Sequence, residues 1–281
     1  LKQAGKKWQE NVTSTLLAAG YRSTVDPLVF TKRVGDSFIA MSVHVDDFYV
    51  SSNNKDMLNS LYNELTKRYR NVTNKTGGIL EYIRMSIQKM SNGSIKISQP
   101  TCTDKILELS GMTDCNTAPT PDVAQQTSQG DDDEPVDKNQ YLSYVGLLNY
   151  LACYTRSNLL YALSSFAQQC SSPTKGDMRR VMRIFPFVKG TNIKVLYIAN
   201  VEISLLSHVD ATHNSYPDGK SHYGHATRIG SHANGAIISK SCKIRIVTLS
   251  FTESECVALC YCCTEVILHR RLLFGLGFNQ M

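Results

Sequence analysis

Ser37-Phe38-Ile39-Ala40-Met41-Ser42-Val43-His44-Val45, then Asp46-Asp47, then Phe48-Tyr49-Val50: two apolar, β-prone runs enclose a pair of aspartates. The runs read as the arms of a hairpin and the acids as its tip. Adjacent carboxylates repel, so this placement costs stability. It makes sense if a divalent cation sits between them and a phosphate. Two-metal phosphoryl transfer uses that arrangement.

On the N-terminal side of the hairpin, residues 1–21 read as an amphipathic helix. Trp8, Val12, Leu16 and Leu17 recur at helical spacing and Gly20 is its stop. Asp26-Pro27 opens a turn and residues 28–31 a strand. On the C-terminal side, residues 56–69 return to a helical period, broken by Gly77-Gly78. Residues 79–90 and 94–98 form a second expected hairpin, turning at Ser91-Asn92-Gly93. A short helix is expected over 103–109, with Thr103 as its cap.

Residues 116–138 change character, with Pro119, Pro121, Pro135, a Gln-rich patch and the run Asp131-Asp132-Asp133-Glu134. This composition reads as a mobile linker and the acidic run as a solvated loop. Residues 141–169 read as a helical pair, and residues 177–189 as a basic helix that Pro186 should kink or end. That helix, with Lys175, Arg179, Arg180 and Arg183, suits a nucleic-acid backbone and a plain solvated face equally. Strands are expected over 195–198, 203–209, 224–229 and 235–239, and a helix over 250–273.

A length of 281 residues implies two or three modules. Hydrophobic content of 42% and charged content of 19% describe a globular chain. The net charge of +6 favours acidic partners, nucleic acid included, but only weakly. No stretch approaches the ~18–20 uninterrupted apolar residues of a membrane span, and the N-terminus does not read as a signal peptide. The chain opens on Leu1 in mid-motif, which reads as a piece of something longer.

Nine cysteines raise two special possibilities. A secreted disulfide scaffold is disfavoured at this length. A zinc site is suggested by Cys256, Cys260, Cys262 and Cys263, but positions 256, 260 and 263 share one helix face. No second ligand pair with zinc spacing accompanies them, so they read as core or semi-buried thiols. His208, His213, His222, His225 and His232 follow no metal or paired spacing and read mostly as solvent-facing.

Taken singly, Asp210 and Glu255 read as surface acids and Gln3 as an ordinary polar helix residue. Order and spacing along the whole chain change that reading. Leu1-Lys2-Gln3-Ala4 with Trp8, Asp26-Pro27-Leu28-Val29-Phe30 and His44-Val45-Asp46-Asp47 resemble the reverse transcriptase of copia-type LTR retrotransposon Pol polyproteins. Gly146-Leu147-Leu148-Asn149-Tyr150-Leu151, Thr155-Arg156 and Val188-Lys189-Gly190-Thr191 resemble that family's connection helices. Val209-Asp210-Ala211, Lys220-Ser221, Gly224, the run from Leu249 through Thr252-Glu253-Ser254-Glu255-Cys256 to Leu259, and Arg270-Arg271-Leu272-Leu273 resemble its RNase H domain.

The resemblance implies a multidomain α+β and α/β chain. Residues 1–115 would form a partial reverse-transcriptase palm and thumb, 116–140 a linker, 141–193 a helical connection, and 194–281 a C-terminally truncated RNase H-like domain. It implies catalytic and metal-binding roles for Asp46, Asp47, Asp210 and Glu255, with Glu253 as the fallback for Glu255. Gln3, Lys2 and Lys220 would contact nucleic acid. The expected cofactor is Mg2+ or Mn2+, and the expected partners are an RNA template, a DNA primer and the RNA/DNA hybrid. The parent element would work in the cytoplasm, in a virus-like particle, or in the nucleus.

Departures from the family pattern point the other way. His44 replaces Tyr, Arg84 stands where a primer-gripping hairpin has Gly, Ser157-Asn158 replaces Pro-Asp, Pro186 interrupts a helix, and Lys240 replaces Trp. An upstream carboxylate of the polymerase site and a downstream one of the RNase H site fall outside these residues. The expectation is a polyprotein fragment that is inactive alone, with a non-catalytic nucleic-acid-binding relic or co-opted protein as the alternative.

Overall fold

The computed structural model describes residues 3–121, 133–191, 195–197 and 202–279. Lys2, Asp131 and Asp132 lie outside the described residues. The chain divides into two compact units, one formed by residues 1–83 and 265–281, the other by residues 84–264.

The first unit opens with helix α1 (Ala4–Ala18), stopped by Gly20 at φ +84°. Strands β1 (Arg22–Ser23), β2 (Val29–Val34), β3 (Ser37–His44) and β4 (Asp47–Ser52) follow in an antiparallel sheet of that same order. Helix α2 (Lys55–Arg68) begins at Asn54, whose side chain accepts the Asp56 amide. β3 alternates as a half-buried strand should, so Ile39, Met41 and Val43 all face one way. Onto them pack Val12 and Leu16 of α1, Leu61 and Leu65 of α2, and Phe30. The short strand β5 (Ile79–Tyr82) places the Tyr82 hydroxyl 3.1 Å from Ser42 Oγ.

The expected hairpin over residues 79–98 is interrupted earlier than its pattern suggests. Ile83 and Arg84 both take positive φ, +47° and +55°, and turn the chain there. Two consecutive left-handed residues are the I′ turn geometry that favours Asn-Gly. A β-branched residue and an arginine are strained in it. The second unit then runs β6 (Met85–Lys89), the Asn92-Gly93 turn, and β7 (Ile95–Ser98).

Helix α3 (Pro100–Leu109) starts three residues before the expected one. Pro100 opens it with Gln99 at the cap position, and the Thr103 hydroxyl donates inside the helix to the Gln99 carbonyl. Thr103 is therefore not a cap. Helices α4 (Lys138–Tyr154), α5 (Leu160–Gln168) and α6 (Lys175–Gly190) complete a bundle with Tyr141, Leu148, Phe166, Ile184 and Phe185 at its centre. A reciprocal Thr174–Asp177 capping box starts α6, which continues through Pro186 to Gly190. The proline does not end the helix: Pro186 lies within a buried stretch, Ile184–Val188, that packing against α3 and α4 holds in place.

Strand β8 (Val195–Tyr197) pairs with β7. Three further strands, β9 (Leu205–Ala211), β10 (Lys220–Ile229) and β11 (Ala236–Val247), form an antiparallel sheet ordered β11-β10-β9. The long helix α7 (Phe251–Gly275) follows. Its residues Ala258, Val257 and Tyr261 pack on Val209, Ala211, Tyr223, Cys242 and Ile244 of the sheet. No helix among the described residues is long and apolar enough to cross a membrane.

Candidate functional site

In the first unit the β3–β4 hairpin closes through a two-residue turn. His44 pairs with Asp47, so Val45 and Asp46 make the tip and Asp47 is already the first residue of β4. Val45 takes φ +50° while Asp46 does not take a positive value. That is the II′ pattern, which matches strand twist but prefers glycine at its first position. A valine there costs on the order of 1–3 kcal/mol unless its surroundings hold it.

Trp8 supplies a restraint. Its indole N–H donates to the Val45 carbonyl at 2.7 Å. The Trp8 ring stands edge-on to Tyr69, 5.0 Å between centroids, and the Tyr69 hydroxyl donates to Asn11 Oδ1 at 2.7 Å. Helix α1 and the chain just after α2 therefore brace the strained turn. Both carboxylates, Asp46 and Asp47, are solvent-exposed beyond it. Gln3 sits at the N-terminus of α1, exposed, with its carbonyl taking the Lys7 amide.

In the second unit β9 and α7 bring Asp210 and Glu255 together across 45 positions of sequence. The Ala211 amide donates to both, at 3.0 Å to Asp210 Oδ1 and 3.3 Å to Glu255 Oε1. Two acceptors converging on one donor place two carboxylates side by side at the exposed end of a sheet. Glu253 turns elsewhere: its Oε2 accepts the Leu249 amide at 2.6 Å and caps the start of α7. The packing of α7 sets these two directions. Ser254, Ala258 and Cys262 are its buried stripe, four residues apart.

A buried hydroxyl cluster holds the same end of the helix. Ser254 Oγ lies 2.7 Å from Thr248 Oγ1 and 3.1 Å from Ser221 Oγ, with His213 Nδ1 at 3.2 Å. Nothing in the spacing of these four residues announces that cluster. Lys220 is engaged by Asp218 at 3.3 Å, and Asp218 also takes Lys243 at 2.9 Å. The two lysines hold the Asp218 carboxyl below its ordinary value, with the Lys243 bond as the larger cause.

Several expectations are corrected. Cys256, Cys260 and Cys263 are exposed, and Cys262 is the buried thiol of α7, because the sheet takes the 254–258–262 stripe. His222 and His225 are buried, and His208 and His232 form a pair 3.2 Å apart. His222 bridges Tyr216 and Ser241, both at 2.7 Å, and burial lowers its pKa. Cations of the basic helix turn inward as well as outward. Arg180 stacks 5.0 Å over Phe166, Lys189 donates to the Cys115 carbonyl, and Lys175 pairs with Glu134.

Arg156 was legible only as part of a motif. It is 3% exposed, and its acceptors are all neutral: Asn158 Oδ1 at 3.3 Å, the Val188 carbonyl at 3.5 Å, the Thr191 carbonyl at 3.0 Å and Thr191 Oγ1 at 2.5 Å. Burial pulls its pKa down to about 10.

The described residues thus hold an antiparallel sheet with a strained, acid-bearing hairpin and a second acid pair on a sheet and helix. Residues 1–124 match the family described as reverse transcriptase (RNA-dependent DNA polymerase). This part of the chain is reverse-transcriptase-like. The chain is also similar to the retrovirus-related Pol polyprotein from transposon TNT 1-94 of Nicotiana tabacum, at 26% identity over all of this chain and 22% of the relative. It is similar to that from transposon RE1 of Arabidopsis thaliana, at 25% identity over 95% of this chain and 19% of the relative. An uncharacterised mitochondrial protein of Arabidopsis thaliana matches at 28% identity over 80% of this chain and 91% of its own length. The chain thus spans about a fifth of the Pol polyproteins it matches. No solved structure matches it.

Proposed function

We propose that these residues are the palm-to-RNase H stretch of a retrotransposon reverse transcriptase, and that they carry part of each of two divalent-metal sites. Asp46 and Asp47 would serve the polymerase site, and Asp210 and Glu255 an RNase H site on the β9–β11 sheet. The observation that carries the reading is the shared Ala211 amide, which brings Asp210 and Glu255 into one place. Hard carboxylate oxygens suit Mg2+ or Mn2+. When bound, such an ion would polarise a phosphate and activate water or a primer hydroxyl. The protein's own part is to orient the acids: Trp8 holds the turn, and the Ser254 cluster and Glu253 hold the start of α7.

Further parts of the reading follow from the same resemblance. Residues 1–115 would form the partial palm and thumb, 141–193 the connection, and Gln3, Lys2 and Lys220 would contact an RNA template, a DNA primer or their hybrid. Among the described residues no three His, Cys, Asp or Glu side chains form a metal group. Each pair alone offers two carboxylates, fewer than two ions need. On this reading the 281 residues by themselves are expected neither to extend a primer nor to cleave the hybrid. Primer extension and hybrid cleavage with Mg2+ and with Mn2+ test this, and robust turnover by the purified chain would refute it.

A further inference from the structure

We infer that His208 and His232 form a two-histidine site for a borderline transition ion such as Ni2+, Zn2+ or Cu2+, separate in chemistry from the carboxylate pairs. His208 projects from β9 opposite Ala226 of β10, and His232 sits in the turn between β10 and β11. Both are exposed. His208 Nε2 faces His232 Nδ1 at 3.2 Å, with the rings 5.1 Å apart between centroids.

That separation suits one ion. Imidazole nitrogens bind zinc at about 2.0–2.1 Å, so two of them around a tetrahedral centre stand roughly 3.3 Å apart. At a square-planar centre they stand about 2.9 Å apart by the same geometry. The observed spacing, 3.2 Å, lies between the two.

The pair is also held in place. The Gly230 amide donates to the Ser204 carbonyl at 2.8 Å and ties the end of β10 to the chain before β9. Asn234 Nδ2 donates to the Ile229 carbonyl at 2.6 Å, and the Ser231 hydroxyl accepts the Ala233 amide. The His232 turn is thus fixed from within, which lowers the ordering cost of chelation.

Without metal one ring donates a hydrogen bond to the other. With metal both facing nitrogens present lone pairs, and the protons sit on His208 Nδ1 and His232 Nε2. Two neutral rings keep two protons, so only the tautomer changes. Among the described residues no third His, Cys, Asp or Glu completes a group, so water fills the remaining positions. Imidazole selects Ni2+, Zn2+ and Cu2+ over Mg2+.

Calorimetric titration of the untagged chain with NiCl2 at pH 7.5 tests the site. One ion per chain is expected, with affinity falling tenfold or more in both His208→Ala and His232→Ala. Asp210→Asn, Glu255→Gln and the triple Cys256→Ser/Cys260→Ser/Cys263→Ser should bind like the parent. Both histidines are exposed, so unchanged melting of the alanine variants separates lost binding from lost fold. Added Zn2+ should shift the ring resonances of His208 and His232 and of no other histidine. Absence of binding, binding untouched in the alanine variants, or binding lost with the acids or the thiols would overturn the inference.

Discussion

Replacing Asn158 by aspartate should stabilise the helical bundle. Arg156 is buried and charged, and every acceptor around it is neutral. Its pKa falls from the ordinary 12.5 to about 10 because burial disfavours the cation. Each pKa unit is about 1.4 kcal/mol, so keeping the charge costs on the order of 3 kcal/mol at neutral pH. The unfolded chain binds the proton more tightly, so this cost is present in full below pH 10 and is relieved only as pH rises above it.

A carboxylate in place of Asn158 Oδ1, 3.3 Å from Arg156 Nε, turns a neutral bond into a charge-assisted one. The gain should be roughly 1–3 kcal/mol, reduced by desolvation of the new acid. The melting point would rise by about 2–4 °C per kcal/mol for a domain of this size. The new carboxyl would titrate below its ordinary value in the fold. Its contribution would be complete above about pH 4–5 and lost as pH falls through the folded pKa. Urea unfolding of both proteins from pH 3 to pH 8 measures this. If Asn158→Asp is no more stable at pH 7, or keeps its advantage at pH 3, the account of Arg156 is wrong.

Trp8→Phe removes the bond to the Val45 carbonyl while keeping the edge contact with Tyr69; urea unfolding should show a loss of about 0.5–1.5 kcal/mol, and Mn2+ affinity at Asp46 and Asp47 should fall. Arg84→Gly places glycine at a positive-φ turn position and should gain about 1 kcal/mol, read from the same unfolding curve. Ser254→Ala leaves Thr248, Ser221 and His213 short of a partner and should cost about 1–3 kcal/mol. His222 is held neutral by burial, so its protonation opposes folding. Stability should fall as pH drops below about 6.5, where the unfolded histidine charges, and His222→Gln should flatten that part of the pH–stability curve.

Sequence reading found α1, the Asp46-Asp47 hairpin, α2, the Asn92-Gly93 turn, the bundle helices and α7 to within a few residues. These are local matters: apolar period, caps and turn chemistry act over four or five positions. It missed the starts of α3 and α6 because a proline and a capping box outrank the apolar period there. It allowed Pro186 to end α6, although packing of the residues on either side holds the helix through it. Glu255 was favoured over Glu253 by resemblance, whereas the direction each side chain takes comes from the sheet contacts of α7.

Everything that joins distant residues waited for the tertiary structure. A helical period says that positions 254, 258 and 262 share a face, and that 256, 260 and 263 share another, but not which face meets the sheet. The β9–β10–β11 sheet decides that, burying Cys262 and leaving Cys256, Cys260 and Cys263 in water. The bond from Trp8 to Val45 spans 37 positions, that from Ala211 to Glu255 spans 44, and the His208–His232 pair spans 24. Strand register and helix packing set these distances. The sequence by itself determined which side chains carry metal-ligating atoms, and only the folded chain decided which of them stand close together.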